Sequence, residues 1–245
     1  FRLVYQPKFQ APSGPVVGFE ALLRWHHPQQ GVLSPDLFLP LAEKTGLIVP
    51  LGDWVIDEAC RQLSEWHQQG HTDWTIAVNL STLQFEHSAL VQTILGTLSR
   101  HNVPPEQLIL EVTETTAMSN PDESVRVLTE LSDAGVKASI DDFGTGYSSL
   151  LYLKRLPACE LKIDRAFVRE LGQEGEDATI VSAIVALART LNLKVVAEGV
   201  ETEEQQAFLT ELGCNTLQGY LLGKPVSAET ITAQGKSLAP TETVT

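Results

Sequence analysis

The chain contains the segment Lys137-Ala-Ser-Ile-Asp-Asp-Phe-Gly-Thr-Gly-Tyr-Ser-Ser-Leu150, in which a short apolar run meets two adjacent carboxylates. The run from Val136 to Ile140 predicts a strand that stops at Asp141 and Asp142, and the two glycines then predict a loop before a helix. Neighbouring acids at a strand end repel each other, which a bound divalent cation would offset. Taken alone, the segment favours an ordinary acidic surface turn, because turns of acids and glycines are common. The remainder of the chain reverses that preference.

The composition is that of a globular chain. Its 245 residues suit one large α/β domain or two small ones. Hydrophobic residues make up 43% of it, which is enough for a full core. No apolar run approaches the roughly 20 residues that span a bilayer. The net charge of -14 argues against binding DNA or RNA through a basic face.

The cysteines and the first residue bear on the compartment and on the parent protein. Cys60, Cys159 and Cys214 have neither the spacing of a disulfide framework nor that of a zinc site. They are typical of buried thiols in a reducing compartment, so we predict a cytoplasmic location. The chain begins with Phe1, directly in a strand-like run, so we expect it to be a piece of a longer protein. The remaining part of that protein could include a membrane anchor.

Strands and helices alternate along most of the chain. The predicted strands are Leu3 to Phe9, Val16 to Trp25, Thr75 to Val78, Leu108 to Val112, Val136 to Ile140, Glu160 to Ile163, Lys194 to Ala197 and Asn215 to Gln218. The first two are close enough to be antiparallel, whereas helices separate the others and predict a mainly parallel sheet. About eight strands in a chain of this length match an irregular (β/α)8 TIM-like barrel with one antiparallel strand near the N-terminus. An open doubly wound sheet is the alternative, but no glycine-rich dinucleotide turn follows the first strand.

Helices are predicted between these strands. They cover Pro35 to Lys44, Leu51 to Gln69, His87 to His101, Pro121 to Ala134, Ser148 to Arg155, Asp177 to Leu191 and Glu203 to Leu212. In the second of them, an apolar stripe is expected to pack in the core, formed by Trp54, Val55, Ala59, Leu63 and Trp66. Pro7 interrupts the first strand and predicts a sheet edge or a bulge there.

Polar side chains occur at one repeated position, on or just after the predicted strands. They are Glu20, Asn79, Glu111, Asp141, Asp142, Lys162, Glu198 and Gln218. In a barrel these strand ends meet at one mouth, where polar residues are typical of catalysis. Any single one of them could instead be a strand cap or a buried hydrogen-bonding group, in particular Asn79 and Gln218. That alternative does not explain five carboxylates beside one lysine, because their mutual repulsion requires cations.

The predicted cluster offers oxygen ligands, which suit Mg²⁺ or Mn²⁺ rather than zinc. Two such cations bridged by one carboxylate are a common arrangement for phosphodiester hydrolysis. We expect a first site formed by Glu20, Asn79, Glu111 and Asp141, and a second that shares Asp141 and adds Asp142 and Glu198. Lys162 can orient the attacking water or offset charge on the phosphate. Arg24 can reach a phosphate oxygen, and a surface salt bridge is its alternative.

An ordered series of short motifs resembles the EAL domain family of cyclic di-GMP phosphodiesterases. The name-giving triplet is Glu20-Ala-Leu22, followed by Arg24-Trp25. The other matching segments are Gln6-Pro7, Gly18 to Trp25, Pro40 to Glu43, Val78 to Ser81, Glu111 to Glu114, Asp141 to Ser149, Leu161 to Asp164, Ala197 to Glu201 and Gln218 to Tyr220. One triplet is weak evidence, but the series covers nearly the whole chain in order. Ala158-Cys159 departs from the usual valine and acid after Leu-Pro, away from any catalytic position.

The resemblance implies a barrel that opens cyclic di-GMP to linear 5′-pGpG, with two Mg²⁺ or Mn²⁺ ions per active site and with inhibition by Ca²⁺. It implies the same metal ligands as above and catalytic roles for Lys162, Glu198 and Glu201. It also implies substrate contacts from Gln6, Arg24, Asp164 and Gln218. Glu114 resembles the anchor of the loop from Phe143 to Ser149.

The expected organisation is one EAL phosphodiesterase domain at residues 1–236 and a polar C-terminal tail at residues 237–245. The resemblance implies a homodimer through Ser148 to Arg155 and the adjoining helix, and an upstream sensor or GGDEF-type domain in the parent chain. We hypothesise that dimer contacts set the loop, and that the loop sets occupancy of the second metal site. A catalytically silent cyclic di-GMP receptor is the alternative function, which the complete acidic set disfavours. An unrelated metal-dependent barrel hydrolase is disfavoured by the ordered motifs.

Overall fold

Eight strands close into a barrel in the computed structural model, which describes residues 1–145, 150–171 and 177–234. The strands in this part of the chain are β1 (Arg2–Gln10), β2 (Val16–His27), β3 (Gly31–Leu33), β4 (Thr75–Leu80), β5 (Leu108–Thr113), β6 (Lys137–Phe143), β7 (Glu160–Ile163), β8 (Lys194–Ala197) and β9 (Thr216–Leu217). The barrel order is β1-β9-β8-β7-β6-β5-β4-β2, and pairing of β1 with β2 closes it. The predicted α/β barrel is therefore confirmed.

The first strand is the irregular member. β1 runs antiparallel to both β2 and β9, while the other barrel neighbours are parallel, as predicted. The register between β1 and β2 shifts between Lys8 and Phe9, one residue past Pro7, and the extra residue is Val17 on β2. Pro7 itself stays in register opposite Phe19, so the irregularity lies next to the proline and the predicted edge or bulge at Pro7 is not found there.

One strand was not predicted. β3 lies outside the barrel and extends a hairpin with the end of β2, where Trp25 pairs with Leu33. β2 accordingly runs to His27, two residues beyond its predicted end. A strand of three residues has no detectable alternation of its own, so it is defined only by the partner against which it folds.

Helices cover the outside of the barrel. Those in the described residues are α1 (Pro35–Thr45), α2 (Ile48–Gln68), α3 (Thr82–Phe85), α4 (Leu90–His101), α5 (Glu114–Ser119), α6 (Pro121–Asp133), α7 (Leu150–Leu153), α8 (Arg165–Arg169), α9 (Asp177–Thr190), α10 (Glu203–Leu212) and α11 (Ala228–Gln234), with a 3-10 turn at Pro105–Gln107. The predicted helix from His87 begins at Leu90, after the separate short α3. Helices α3, α5, α8 and α11 were missed, because four to seven residues are too few to show a helical period.

The main apolar core lies between the barrel wall and these helices. Trp66 of α2 is fully buried, with ring centroids 4.8 Å from Phe19 and 5.2 Å from Tyr5. Most of the predicted stripe on α2 is buried with it. Trp54 is the exception at 37% exposure, so its predicted place in the core was wrong. It precedes Val55 by one position and is therefore turned about 100° away from the buried face.

Some predictions fall on other parts of the chain. Residues 146–149 of the predicted loop and the predicted tail at residues 237–245 lie outside the described residues, and the boundary at residue 236 stays a prediction. Cys60 and Cys214 are buried free thiols, and Cys159 is half-buried. Of the helices described, none is both long enough and apolar enough to cross a membrane.

Candidate active site

Alternate residues of each barrel strand point into the barrel, and the carboxyl ends of the parallel strands form one mouth. Glu20 faces inward, because its neighbours Phe19 and Ala21 pack in the apolar core outside. Asn79 on β4 lies level with Glu111 on β5. The barrel thereby brings residues that are far apart in sequence to one place.

Lys162 lies at the centre of this mouth and is 1% exposed. Its ammonium donates to Glu111 Oε2 at 2.7 Å and to Asp141 Oδ2 at 3.0 Å. Glu198 Oε1 forms an ion pair with the same ammonium at 2.6 Å. Glu20 Oε2 lies at 3.9 Å. One ammonium therefore meets four of the five predicted carboxylates.

A chain of side-chain amides holds Glu20. Asn79 Nδ2 donates to Glu20 Oε1 at 2.8 Å, and Gln218 Nε2 donates to Glu20 Oε2 at 2.7 Å. Gln218 Nε2 also lies 3.1 Å from Gln6 Oε1, and Gln6 Nε2 donates to the backbone oxygen of Gly223 at 3.1 Å. Residues predicted as metal ligands and residues predicted to contact substrate thus form one hydrogen-bonded chain.

Sequence reasoning missed two buried charges beneath the mouth, Lys8 and Glu160. Lys8 Nζ donates to Glu111 Oε1 at 2.8 Å and lies 3.8 Å from Glu160 Oε1. Lys8 is two residues after Gln6 on β1, and Glu160 is two residues before Lys162 on β7. That spacing is the signal that could have identified them, because alternate residues of a strand share a face.

The two lysines set the charge state of Glu111. Burial alone raises the pKa of a carboxyl group, but the charges and hydrogen bonds of Lys162 and Lys8 lower the pKa of Glu111 to about 2. Burial also opposes the charged form of both lysines, yet the surrounding carboxylates, led by Glu111, hold their pKa values above the ordinary lysine value. Glu111 is therefore ionised and both lysines are protonated at neutral pH.

Three other acids of the mouth have raised pKa values. Burial is the largest cause at Glu198, where it outweighs Lys162 and raises the pKa to about 8. Burial also raises the pKa of Asp142 to about 6, and the neighbouring carboxylate of Asp141 adds to this shift. The pKa of Glu20 is raised by burial as well, although Lys162 opposes the change. The mouth therefore holds more carboxylates than its two lysines can balance.

This excess of carboxylates bears on metal binding. As they stand, the described Asp, Glu, His and Cys side chains include no group of three that could hold a metal ion. The carboxylates are turned onto Lys162, so a cation has to compete with this ammonium for the same oxygens. The donor set nevertheless fits a hard divalent cation, because it combines several carboxylates with the amide of Asn79 and carries surplus negative charge.

The chain bends sharply where β6 ends. Asp142 has a φ of 52°, a left-handed conformation that few residues other than glycine adopt. Its N–H donates to Asp141 Oδ1 at 2.9 Å, and Thr145 Oγ1 donates to its carbonyl oxygen at 2.8 Å. These contacts hold a predicted metal ligand in an unusual conformation, which is common at functional sites.

Glu114 is buried at the start of α5, and its carboxylate reaches the same bend. Oε2 accepts the N–H of Gly144 at 2.9 Å, while Oε1 has no donor among the described residues. The nearby hydroxyl of Thr145 donates to the carbonyl oxygen of Asp142 rather than to Glu114. The contact with Gly144 is the kind that a loop anchor requires, and the functional role of Glu114 stays a prediction.

Three further predicted site residues take no part in the described hydrogen bonds around Lys162. Arg24 Nη1 donates to the carbonyl oxygen of Leu23 at 2.8 Å. Asp164 caps α8 by accepting the N–H of Ala166 at 2.7 Å, and Glu201 is exposed just before α10. All three lie near the carboxyl ends of barrel strands, on the side where the mouth opens.

A family model described as the EAL domain matches residues 1–225. The chain belongs to the EAL domain family. The match includes all nine described strands, so the resemblance stated from the motifs is confirmed over the whole barrel.

Two curated relatives from Pseudomonas aeruginosa carry a similar segment. The bifunctional diguanylate cyclase/cyclic di-GMP phosphodiesterase MucR is 66% identical over 231 residues, which cover 94% of this chain and 34% of the relative. The cyclic di-GMP phosphodiesterase NbdA is 46% identical over 224 residues, which cover 91% of this chain and 29% of the relative. This EAL domain therefore spans about a third of the length of the curated relatives that it matches.

Solved structures show the same barrel. The PaMucR phosphodiesterase in complex with c-di-GMP matches with a TM-score of 0.92 and 66% identity, over 94% of this chain and 93% of that chain. The FimX EAL domain from Pseudomonas aeruginosa bound to c-di-GMP matches with a TM-score of 0.84 and 28% identity, over 92% and 90% of the two chains.

Proposed function

We propose that this EAL domain hydrolyses cyclic di-GMP to linear 5′-pGpG with the help of two divalent cations, Mg²⁺ or Mn²⁺. The observation that carries the proposal is the cluster around Lys162, in which one ammonium lies within 3.0 Å of Glu111, Asp141 and Glu198. The names of MucR and NbdA support the activity, and the solved PaMucR complex supports the substrate.

The cations are assigned to two sets of ligands that share one carboxylate. The first set is Glu20, Asn79, Glu111 and Asp141, and the second is Asp141, Asp142 and Glu198. When bound, the cations supply Lewis-acid activation of water and positive charge for the phosphate. The surplus of carboxylates over lysines supports this assignment. Ca²⁺ accepts more ligands at longer distances than Mg²⁺, which is consistent with the expected inhibition.

Lys162 is assigned to orient the attacking water and to stabilise charge that develops on the phosphate. Three carboxylates hold its ammonium in place, so it needs no reorganisation during the reaction. A fixed charge of this kind acts most strongly where water is excluded, and Lys162 is almost fully buried. Glu198, in contact with Lys162, and Glu201, at the rim, are the other proposed catalytic residues.

Substrate binding is assigned to Gln6, Arg24, Asp164 and Gln218. The best-supported member is Gln218, whose buried Oε1 has no donor among the described residues. Guanine carries N–H donors that this oxygen can accept. Arg24 presents a guanidinium, which matches phosphate oxygens in a two-point contact.

Incubation with cyclic di-GMP and Mg²⁺ or Mn²⁺, followed by chromatography of the nucleotides, tests this function. We expect 5′-pGpG as the product, loss of turnover in EDTA, recovery with either metal and lower turnover in Ca²⁺. Lys162→Met should retain substrate binding much better than turnover, because the ammonium acts mainly in the transition state. Binding without product by the wild type would instead indicate the silent receptor. Full turnover by rigorously metal-free protein would exclude the two-cation mechanism.

A homodimer and control of the loop are part of the proposal. α7 exposes Leu150 and Leu151, which supports an interface at this helix. Dimer contacts would then set the loop anchored by Glu114, and through it the second cation site. Turnover measured against Mg²⁺ at several protein concentrations tests this. Curves that do not change with protein concentration would contradict it. An upstream sensor or GGDEF-type domain and a cytoplasmic location stay predictions.

A further inference from the structure

We propose that Lys8 is a positioning residue of this active site, which fixes the carboxylate of Glu111 from beneath the mouth. The inference rests on the proposed function, in which Glu111 is a metal ligand. Lys8 reaches neither the outer surface nor the open mouth, since its side chain is 4% exposed. It acts through Glu111 rather than on the substrate.

Both oxygens of Glu111 are held by ammonium groups. Lys8 Nζ lies 2.8 Å from Oε1 and Lys162 Nζ lies 2.7 Å from Oε2, and the carboxylate has no exposed surface. Two contacts on opposite oxygens fix the rotation of the carboxylate about its last bond. Loss of Lys8 would leave Oε1 buried without a donor, and Glu111 would be held from one side only.

The distances show that Glu111, rather than Glu160, is the main partner of Lys8. Glu160 Oε1 is 3.8 Å from Lys8 Nζ, a full 1.0 Å farther than Glu111 Oε1 at 2.8 Å. Lys8 pairs on β2 with Gly18, which has no side chain to fill this part of the barrel. Lys8 therefore extends across the interior and bonds to Glu111, and Glu160 remains a second, more distant counter-charge.

The layer under the mouth offers Glu111 few other donors. Ser139 lies level with Glu111 on β5 and with Glu160 on β7. Its hydroxyl is buried and makes no hydrogen bond with any described residue. No described neighbour other than Lys8 donates to Glu111 Oε1, so the position of this carboxylate depends on Lys8.

A purely structural role for Lys8 makes a different prediction. If Lys8 only balanced the charge of Glu160, neutralising both residues together would restore a normal site. If Lys8 positions Glu111, neutralising both leaves the defect in place. The double variant Lys8→Met/Glu160→Gln separates the two roles, and it removes one charge of each sign from the interior. Exchange of a buried pair for neutral residues is often tolerated by the fold.

The experiment measures Mn²⁺ binding to the metal-free domain by calorimetry, alongside kcat and KM for cyclic di-GMP. We expect the charge-neutral double variant to weaken Mn²⁺ binding by about 10-fold or more, as for other residues that orient a metal ligand. Lys8→Met alone should weaken it less, because the lost positive charge itself favours a cation. Turnover should fall, while KM stays within about twofold, because the substrate contacts are untouched. Lys194→Met is the matched control, since this lysine is exposed at the start of β8 and should bind Mn²⁺ like the wild type.

The double variant decides the outcome even if Lys8→Met alone does not fold. Wild-type Mn²⁺ affinity and turnover in the double variant would overturn the inference and leave Lys8 as a charge-balancing residue. A wild-type domain that binds Mn²⁺ but produces no 5′-pGpG would instead overturn the proposed function. The calorimetric comparison of the variants would still decide the role of Lys8.

Discussion

The inside of the barrel and the shell around it are built on opposite principles. In the shell, Trp66, Phe19 and Leu63 are fully buried in one continuous apolar core between the strands and the helices. The inside contains Lys8 and Lys162 with their carboxylate partners. Its buried aliphatic residues, among them Ala77, Ile109 and Val196, do not join the main core. Bulky branched side chains fill the interior of an ordinary barrel of this kind.

This difference separates stability from chemistry. Burial of apolar area in the shell stabilises the fold by about 25 cal/mol per Å². Buried charges contribute little net stability, because the cost of removing them from water offsets their attraction. We infer that the shell maintains the barrel so that its interior can hold a charged site. Changes in the two regions should therefore have separable effects on stability and on turnover.

The largest expected effect follows from removal of one interior carboxylate. Glu20→Ala should lower turnover roughly 100-fold or more, because a proposed metal ligand is lost. The fold should remain about as stable. Burial raises the pKa of Glu20 in the folded state, so at any pH above the pKa of the unfolded chain the ionised carboxylate destabilises the fold. Loss of that charge at neutral pH offsets the lost packing. Near wild-type turnover with normal metal content would contradict this role.

A change in the shell should lower stability and leave turnover unchanged. Leu63 is fully buried on α2, and Leu63→Ala leaves a cavity in the main core. We expect the free energy of unfolding to fall by about 2–5 kcal/mol. Turnover per folded molecule should be unchanged at a temperature where the variant is folded. Chemical denaturation and assays of the same samples test this, and a matching loss of turnover would show that shell and site are coupled.

A smaller effect is expected where the two regions meet. Glu114→Ala removes the acceptor of the Gly144 N–H beside Asp142. Turnover should fall about tenfold, with a weaker response to Mg²⁺. Glu114 is not itself a proposed metal ligand, but it holds the backbone next to Asp142, which is one. Thermal stability should hardly change. If turnover instead falls only in step with stability, Glu114 is an ordinary structural cap.

The smallest effect should come from the outer surface. Arg61 on α2 makes ion pairs with Glu58 and Glu65, and water reaches all three side chains. Arg61→Ala should change the free energy of unfolding by less than about 1 kcal/mol and leave turnover unaltered. Thermal unfolding at low and at high salt would check this, since screening should remove most of the difference. A larger change would mean that the arginine stem adds packing to the shell.

The amino-acid sequence by itself determined the barrel class and the position of the site at the carboxyl ends of the strands. Apolar runs that stop at polar residues are local patterns, so the ends of β4, β5 and β6 were predicted within a few residues. The ordered motifs were sufficient for the family, which the match over residues 1–225 confirms. Short elements such as β3 and α8 were missed because they carry no period of their own.

Only the tertiary structure decided which buried charges are partners. Lys8 bonds to Glu111, which lies 103 residues away, and Gln218 bonds to Glu20 across 198 residues. The spacing from Gln6 places Lys8 on the inward face of β1, but nothing local to β1 shows which charge it meets, because its surroundings arise when β1 closes the barrel against β2 and β9. Sequence patterns report which face a residue takes, whereas pairing and burial depend on what the closed barrel places opposite it.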